Sequence, residues 1–370
     1  MISVGEHMLF DKLSDARDRH IEYGKHLEKL IIFTYSKRKT SIPLTYISKN
    51  TAIKPSRFGK WIFPFEALYE CILLIKKYKL DVITTQDPFI TGLIGVVLKF
   101  IFRLPLDIQN HSDFFSSRKF INEKPLQYRV FYHIGKLILK YADHLRVLNN
   151  EERDEYINMG IPEHKISVLT TPVNSDRFLL KVSDSEKNEL KYSLNINDKF
   201  IIIWVGRITP AKDWKLLIKI AKYLDDCVFL VAGSGEDDKD FDKEILKNNI
   251  NNIIRLGKVP HEKLPLYYQI ADIYLHTALY EGFGKTLVEA MLSGLPVVSS
   301  SVSGPRSIIS DGKDGFLINS RNAFDFSKKI LMLKKDPSLR NRISIEAKKK
   351  AREEFSRQIM IERISKTWFW

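Results

Sequence analysis

Cysteine is nearly absent from this chain: two in 370 residues, Cys71 and Cys227, far apart and each inside an apolar run. That excludes a disulfide scaffold and a thiolate metal cluster, and leaves two small buried hydrophobes of a reducing compartment. A membrane-spanning run is missing as well. The most apolar stretch, Phe89 to Leu106, is broken by Lys99, Arg103 and Pro105, whereas a spanning helix needs about 20 mostly apolar residues. It reads as a buried core helix followed by a strand. The opening does not read as a secretory leader, because Asp11, Asp15 and Asp18 follow at once. A cytoplasmic protein is expected.

Acidic residues are in deficit, 45 against 59 Lys and Arg, for a net charge of +14. The two halves share the excess, so there is no basic arm, and no nucleic-acid motif accompanies it. The charge suits an anionic substrate or a weak peripheral contact with anionic lipid at the inner face of the membrane. Lys37, Arg38, Lys39, Arg118 and Lys119 are its best local carriers. A third glycine is lacking too. The turn AGSGED, Ala232 to Asp237, has two glycines after an apolar run but not the full dinucleotide fingerprint, which argues against a nicotinamide site.

What is present is a regular alternation. At 370 residues and 44% apolar content, two α/β domains with separate cores are expected. Strand candidates in the first half are Met1–Val4, Ile31–Tyr35, Leu44–Ile47, Val82–Thr84, Leu106–Gln109, Leu145–Leu148 and Ile166–Leu169, most of them separated by helical patterns. The first is shorter than usual, as a truncated start would leave it. From about Pro172 to Asp198 the text turns polar and reads as a link. The alternation then resumes with Phe200–Val205, Val228–Ala232, Ile253–Leu256, Ile273–His276, Pro296–Ser299 and Gly315–Ile318. Such alternation argues a parallel sheet covered on both faces in each half. A long basic helix, Ser338 to Trp370, ends in the exposed-looking aromatics Trp368, Phe369 and Trp370, and is expected to dock on the first domain.

The most informative segment is EGFGKTLVEAMLSGLPVV, with Glu281 and Glu289 eight positions apart. Acids are ordinary in the first turns of a helix. Here, though, Glu281 lies in a loop outside the carboxyl end of a strand, flanked by Gly282 and Gly284, and ligands of open parallel sheets bind at such ends. A loop that opens a helix also presents unpaired N–H groups to phosphate or a polar sugar. After the strand FIIIWV come Arg207 and Lys212, a planar fork and a compact charge suited to a diphosphate. Three loops, VGRITPAK, the turn after Ala232 and ALYEGFGKT, therefore meet at one sheet edge. Cations in one and carboxylates in another suit a nucleotide-sugar. The run Glu236, Asp237, Asp238 and Asp240 could pass for a metal-binding cluster, but reads better as a solvated helix start.

These segments, with LGKVPHEKLPLYYQIADIYLH and SGPRSIISDGKDGFLI, resemble the C-terminal domain of retaining glycosyltransferases of family 4 type (glycosyl transferases group 1), and Glu281 and Glu289 match that family's pair of acids with seven residues between them. DVITTQDPFITGLIGVVLKFIFRLPLDIQNHSDFF resembles its N-terminal half more loosely. The resemblance implies a GT-B fold: two doubly wound Rossmann-like domains whose parallel sheets face across a cleft. Residues 1–172 would be the acceptor side, 173–354 would bind the donor, and a terminal helix over about 355–370 would return to the first domain.

It also implies roles. Arg207 and Lys212 match the diphosphate pair. Glu281 matches the acid that holds the donor sugar, with Gly282 and the backbone amides of Phe283 and Gly284 beside it. Glu289 matches the ribose acid, Val259 the segment at the base, Gly233 the turn near the phosphate, and His111 the cleft histidine near the reacting sugar. No metal or other cofactor is implied. The partners would be a nucleotide-sugar donor and a carbohydrate or lipid-linked acceptor in surface polysaccharide or glycoconjugate synthesis, with no nucleic acid. A nucleotide-sugar epimerase or hydrolase on the same fold, and a catalytically silent member of a glycan-assembly complex, are the competing readings. The chain departs from the pattern after its first strand, where VGEHMLFDKLSDARDRHIEYG replaces a glycine-rich loop and Arg17 and Arg19 stand as cleft or surface charges.

Overall fold

The computed structural model describes residues 1–3, 7–10, 14–36, 42–111, 114–115 and 125–368. The chain divides into two compact units, Met1–Pro172 with Gln358–Trp370, and Val173–Arg357.

The first unit carries an eight-stranded sheet: β1 (Ile2–Ser3), β2 (Leu30–Thr34), β3 (Thr45–Tyr46), β4 (Thr51–Pro55), β5 (Ile83–Thr85), β6 (Leu106–Gln109), β7 (His144–Val147) and β8 (Ile166–Val168). Their order is β3-β4-β2-β1-β5-β6-β7-β8, with only the edge pair β3 and β4 antiparallel. The sheet is buried on both faces, and its strands show it by period two. On β2, Leu30 and Ile32 join one core with the helices Asp15–Lys25 and Arg357–Lys366. Phe33 points to the other, with Phe63–Tyr78, Ile90–Phe102 and Pro125–Leu139. β4 was not anticipated, because Lys54 and Pro55 in TAIKP resemble loop residues. Pro55 is tolerated at the strand's last position, where it withholds no donor from the middle of the ladder.

The second unit has a six-stranded, wholly parallel sheet: β9 (Phe200–Val205), β10 (Cys227–Ala232), β11 (Ile253–Gly257), β12 (Ile273–His276), β13 (Val297–Ser300) and β14 (Phe316–Ile318). The order is β11-β10-β9-β12-β13-β14. The chain winds outward from β9 in one direction and from β12 in the other, so the two meet at a switch point. Ile202, Trp204, Phe229, Val231 and Leu275 pack against helices Trp214–Tyr223 and Ala323–Lys335 to form this unit's core.

Two expectations are corrected. The polar text after Pro172 is not a bare link: it forms helices Ser175–Leu179 and Asp184–Ser193, the latter opened by a Ser183–Glu186 capping box. The long terminal helix is two, Pro337–Glu354 and Arg357–Lys366, broken at Phe355 and Ser356. The exposed-looking Trp368 is buried in the first unit, where the tail was expected to dock: its Nε1 donates to Asp107 Oδ2 at 3.0 Å and its ring meets Tyr23 edge-on. Phe369 and Trp370 lie outside the described residues, as do Lys37, Arg38, Lys39, Arg118 and Lys119.

Burial has a consequence for pH in the first unit. His20, 8% exposed, donates from Nδ1 to Ala16 O at 2.7 Å. Burial, then the nearby Arg19 charge, pull its pKa down to about 4. A folded state that prefers the neutral ring loses stability as pH falls below the ordinary histidine value of 6.5. The loss grows until about pH 4 and reaches about 3 kcal/mol there. Urea melts between pH 7 and 4 should show this slope, and His20→Gln should flatten it.

Candidate functional site

The second unit's site is built at its switch point, where the loops after β9 and β12 are tied together. Thr277 Oγ1 donates to Lys212 O at 2.8 Å, and Leu279 N donates to Ala211 O at 2.9 Å. Trp204 Nε1 donates to Thr277 Oγ1 at 3.0 Å, anchoring the junction to β9. Arg321, ahead of helix Ala323–Lys335, donates to Thr277 O at 2.7 Å, Ala278 O at 3.0 Å, Ser300 Oγ at 2.9 Å and the Asp213 carboxylate. One guanidinium therefore fixes both loops. Asp213, at φ 45°, caps helix Trp214–Tyr223 through Leu216 N and so turns Lys212 back toward β12.

Lys212 Nζ is ion-paired with Glu281 Oε2, and His276 Nε2 lies 3.4 Å from the same oxygen. Burial works against a charged Glu281, but the Lys212 charge and the His276 contact prevail and hold its pKa down to about 2. Burial, against the pull of Glu281, lowers the pKa of His276, whose Nδ1 is 3.0 Å from Ser299 Oγ. The Glu281 backbone is also held: its carbonyl accepts from Gly304 N at 2.8 Å and Ser303 Oγ at 3.1 Å. These come from helix Ser303–Ile308, which sequence reading missed because SGPRSI has neither helical period nor good helix formers. A Cβ on Gly304 would lie 2.5 Å from Phe283 O, so glycine permits this contact.

Arg207 stands at the same strand end, exposed, with no hydrogen bond or ion pair among the described residues. The site thus offers one neutralised cation and one open one. The turn after β10 is pressed against the neighbouring loop. With Gly233 at φ 135°, a Cβ there would lie 1.8 Å from Gly206 O, and one on Gly235 would lie 2.2 Å from Ile208 O. The acidic run beyond it is occupied. Asp237 Oδ2 accepts from Trp214 Nε1 at 2.7 Å, and Asp238 takes Gly235 N at 3.1 Å and Arg255 Nη2 at 2.8 Å. Among the described residues no three His, Cys, Asp or Glu side chains gather as a metal site.

Gly282, Phe283 and Gly284 are buried where helix Lys285–Leu292 begins, with Gly284 at φ 98°. Their amides belong to the opening of that helix. Glu289, 2% exposed, forms a second centre. His261 Nε2 is 2.9 Å from its Oε1, Tyr268 OH is 3.4 Å from Oε2, and Lys285 Nζ is 3.7 Å away. Arg177 Nη1 sits 2.6 Å from His261 Nδ1. Arginine only donates, so Nδ1 accepts, the ring proton is on Nε2, and that proton goes to Glu289. His261 stands two residues after the half-buried Val259, which brings the two segments expected at ribose and base to one place. His261, His276 and Arg321 were not singled out from sequence. A histidine closing a strand just before the ALYEGFG loop was the available signal for His276.

In the first unit, His111 is exposed beyond β6, with Nε2 2.9 Å from Gln86 Oε1. Gln86 follows β5, and its N donates to Ile2 O, so His111 is tied to the place where β1 and β5 part. A buried network supports it from behind: Arg146 donates to Gln109 Oε1 at 2.9 Å and to Thr170 O at 2.6 Å, and Asn110 Nδ2 donates to Tyr156 OH at 3.0 Å. Arg17 is half-buried, its guanidinium donating to Leu9 O at 3.2 Å.

Family models agree with this arrangement along most of the chain. "Glycosyl transferases group 1" matches residues 186–350, and "Glycosyltransferase Family 4" matches residues 29–177. The chain belongs to the family 4 glycosyltransferases. Among the relatives of this glycosyltransferase is the capsular polysaccharide biosynthesis glycosyltransferase CapM of Staphylococcus aureus, 27% identical over 312 residues, 81% of this chain and 79% of the relative. Another is an Escherichia coli UDP-Gal:alpha-D-GlcNAc-diphosphoundecaprenol alpha-1,3-galactosyltransferase, 25% identical over 284 residues, 74% and 71% of the two chains. HepE of Anabaena, solved in complex with UDP, aligns with a TM-score of 0.79 and 18% identity over 99% of this chain and 98% of its own. The glycosyltransferase has the GT-B fold, two α/β units each on a parallel sheet.

Proposed function

We propose that this glycosyltransferase moves a sugar from a nucleoside diphosphate donor to a hydroxyl of a carbohydrate or lipid-linked acceptor, with retention at the anomeric carbon. The observation that carries the reading is the switch-point cluster: Lys212 paired with Glu281, beside an unpaired Arg207. An anionic diphosphate entering there finds an open fork in Arg207 and a second cation that can be shared from Glu281. A sugar attached to it presents hydroxyls to the carboxylate that Lys212 and His276 keep ionised. Glu289, held by His261, accepts from the ribose, and Val259 lies against the base. Gly233 shapes the phosphate end by locking the two loops together, and Gly282 with the amides of Phe283 and Gly284 borders the sugar.

As the bond between the anomeric carbon and the phosphate oxygen breaks, negative charge gathers on the leaving diphosphate. Arg207 and Lys212 stabilise it, the task a divalent metal serves in other transferases. The acceptor oxygen bonds to the same face of the sugar while its proton passes to the departing phosphate oxygen. The protein supplies placement and charge more than acid–base chemistry. Surface polysaccharide or glycolipid synthesis, carried out in the cytoplasm at the membrane's inner face, fits both the capsular relative and the relative whose acceptor is a diphosphoundecaprenol lipid.

The test is product analysis: NMR of the glycoside formed from an α-linked nucleotide-sugar should show an α linkage. A β product would overturn retention, and conversion of donor with no acceptor present would point to a hydrolase or epimerase.

A further inference from the structure

Large apolar side chains are exposed unevenly. In the second unit they are scattered. In the first they line up on the outer faces of three neighbouring helices. On Phe63–Tyr78 the exposed positions are Phe65, Tyr69 and Leu73, one face at i, i+4 and i+8, preceded by Trp61, which is 91% exposed. On Ile90–Phe102 they are Leu93, Phe100 and Ile101, and on Pro125–Leu139 they are Leu126, Val130, Ile134 and Leu137. Phe100 meets Tyr141 edge-on at 5.6 Å, which joins the last two stripes at one end. The inner faces of all three helices belong to a single core, and the middle helix, Ile90–Phe102, packs against both others, so the outer stripes lie side by side on one face of the sheet. A contiguous apolar patch of this kind marks an interaction site.

Its charge says with what. Neither Ile90–Phe102 nor Pro125–Leu139 contains an acidic residue, while Arg103, Arg129 and Lys140 are exposed on or just beyond them. Glu66 of the first helix is turned inward, accepting from Arg57 N and Phe58 N. Beside the stripe lies a groove of about 560 Å³ lined by Lys54, Arg57, Lys77, Tyr46 and Leu73, with Glu70 its sole acid. Lys54 is the informative member. It is only 8% exposed, yet has no hydrogen bond or ion pair among the described residues. Its stem is packed while its ammonium, free of any intramolecular partner among the described residues, opens on the groove beside Arg57 and Lys77, and three cations around one groove suit an anion.

We infer that this face seats the protein on an anionic bilayer, with the aromatic and aliphatic stripes entering the headgroup layer and the Lys54 groove taking the phosphate of an anionic lipid. Tyr and Trp suit that depth, with an apolar body and a polar edge. A protein partner would also want the apolar stripes, but a surface with cations around it and almost no acid matches lipid phosphate better. No helix among the described residues is long and apolar enough to cross a membrane, so this is contact in the interface plane. The inference deepens the membrane-face reading above and moves it to residues other than the lysines and arginines first suspected. It does not depend on the chemistry of the donor site.

Vesicle flotation of the full chain tests it. Vesicles of phosphatidylcholine with phosphatidylglycerol should carry the protein at moderate salt, pure phosphatidylcholine vesicles should carry it about tenfold less, and salt should weaken the binding. Trp61→Ser with Phe65→Ser should lower partition about tenfold or more. Lys54→Gln should narrow the preference for anionic vesicles by about fivefold. All these positions belong to the first unit and the donor loops to the second, so thermal stabilisation by UDP, GDP or ADP should survive in both variants. Vesicle binding without any nucleotide binding would sink the donor-site reading alone. The inference is overturned if the wild type does not float, if neither variant changes partition, or if ultracentrifugation shows a dimer that Trp61→Ser with Phe65→Ser abolishes, which would make the face a contact between copies.

Discussion

Glu281→Ala is expected to lose at least about a hundredfold in turnover, comparable to removing one preorganised polar contact from a transition state. The carboxylate is ionised at every working pH, since Lys212 and His276 hold its pKa down to about 2 against burial. Its removal takes away an acceptor for sugar hydroxyls and also frees Lys212 to swing. Glu281→Gln keeps the size and one acceptor but not the charge. The difference between the two variants separates hydroxyl binding, which appears in KM, from charge organisation, which appears in kcat. Stability should change little, because both partners of the ion pair are about one-fifth exposed and such pairs contribute about 1 kcal/mol or less. That contribution is present above the ordinary glutamate value of 4.5 and vanishes as pH falls through about 2. Melting curves of the variant that match the wild type, with turnover nearly intact, would contradict the role given to Glu281.

Gly233→Ala should be the most damaging single methyl group in the second unit. The added Cβ would sit 1.8 Å from Gly206 O, on backbone that cannot rotate away, and at φ 135° an L-residue is strained whatever the space. Gly233 N also donates to Gly257 O at 2.7 Å, so a shift pulls β11 as well as the loop after β9. A cost of about 3 kcal/mol or more follows from the strain and overpacking together. Because the loop after β9 carries Arg207 and Lys212, nucleotide binding should weaken in parallel. Gly312→Ala is the control. It too has positive φ, 75°, but nothing lies within 4 Å of its added Cβ, so its penalty is the backbone strain alone. Equal melting temperatures for the two variants would show that the loop contact does not matter.

Much of this was legible in the residues, for identifiable reasons. The strands Phe200–Val205, Ile273–His276 and Leu106–Gln109 are apolar runs bounded by turns, and the structure places them over the same residues. The GT-B fold followed from alternation together with a resemblance carried by loops. Local reading failed where long-range contact decides. The strand TAIKP is made by pairing with β2, and the break at Phe355 and Ser356 by the chain returning to the first unit. The same holds within the site. Glu281 and Lys212 were singled out separately because they stand 69 positions apart, and nothing local announces that they pair. Arg321 and His261 were invisible because their role lies in what they hold, and a lone arginine or histidine carries no spacing to read.

The account turns on a nucleoside diphosphate binding at the end of β9, and calorimetric titration measures this directly. One of UDP, GDP or ADP should bind the wild type; Arg207→Ala should weaken it about tenfold or more, and Arg207→Ala with Lys212→Ala should abolish it. Undiminished binding in the double variant, or no binding of any of the three to the wild type, would contradict the assignment.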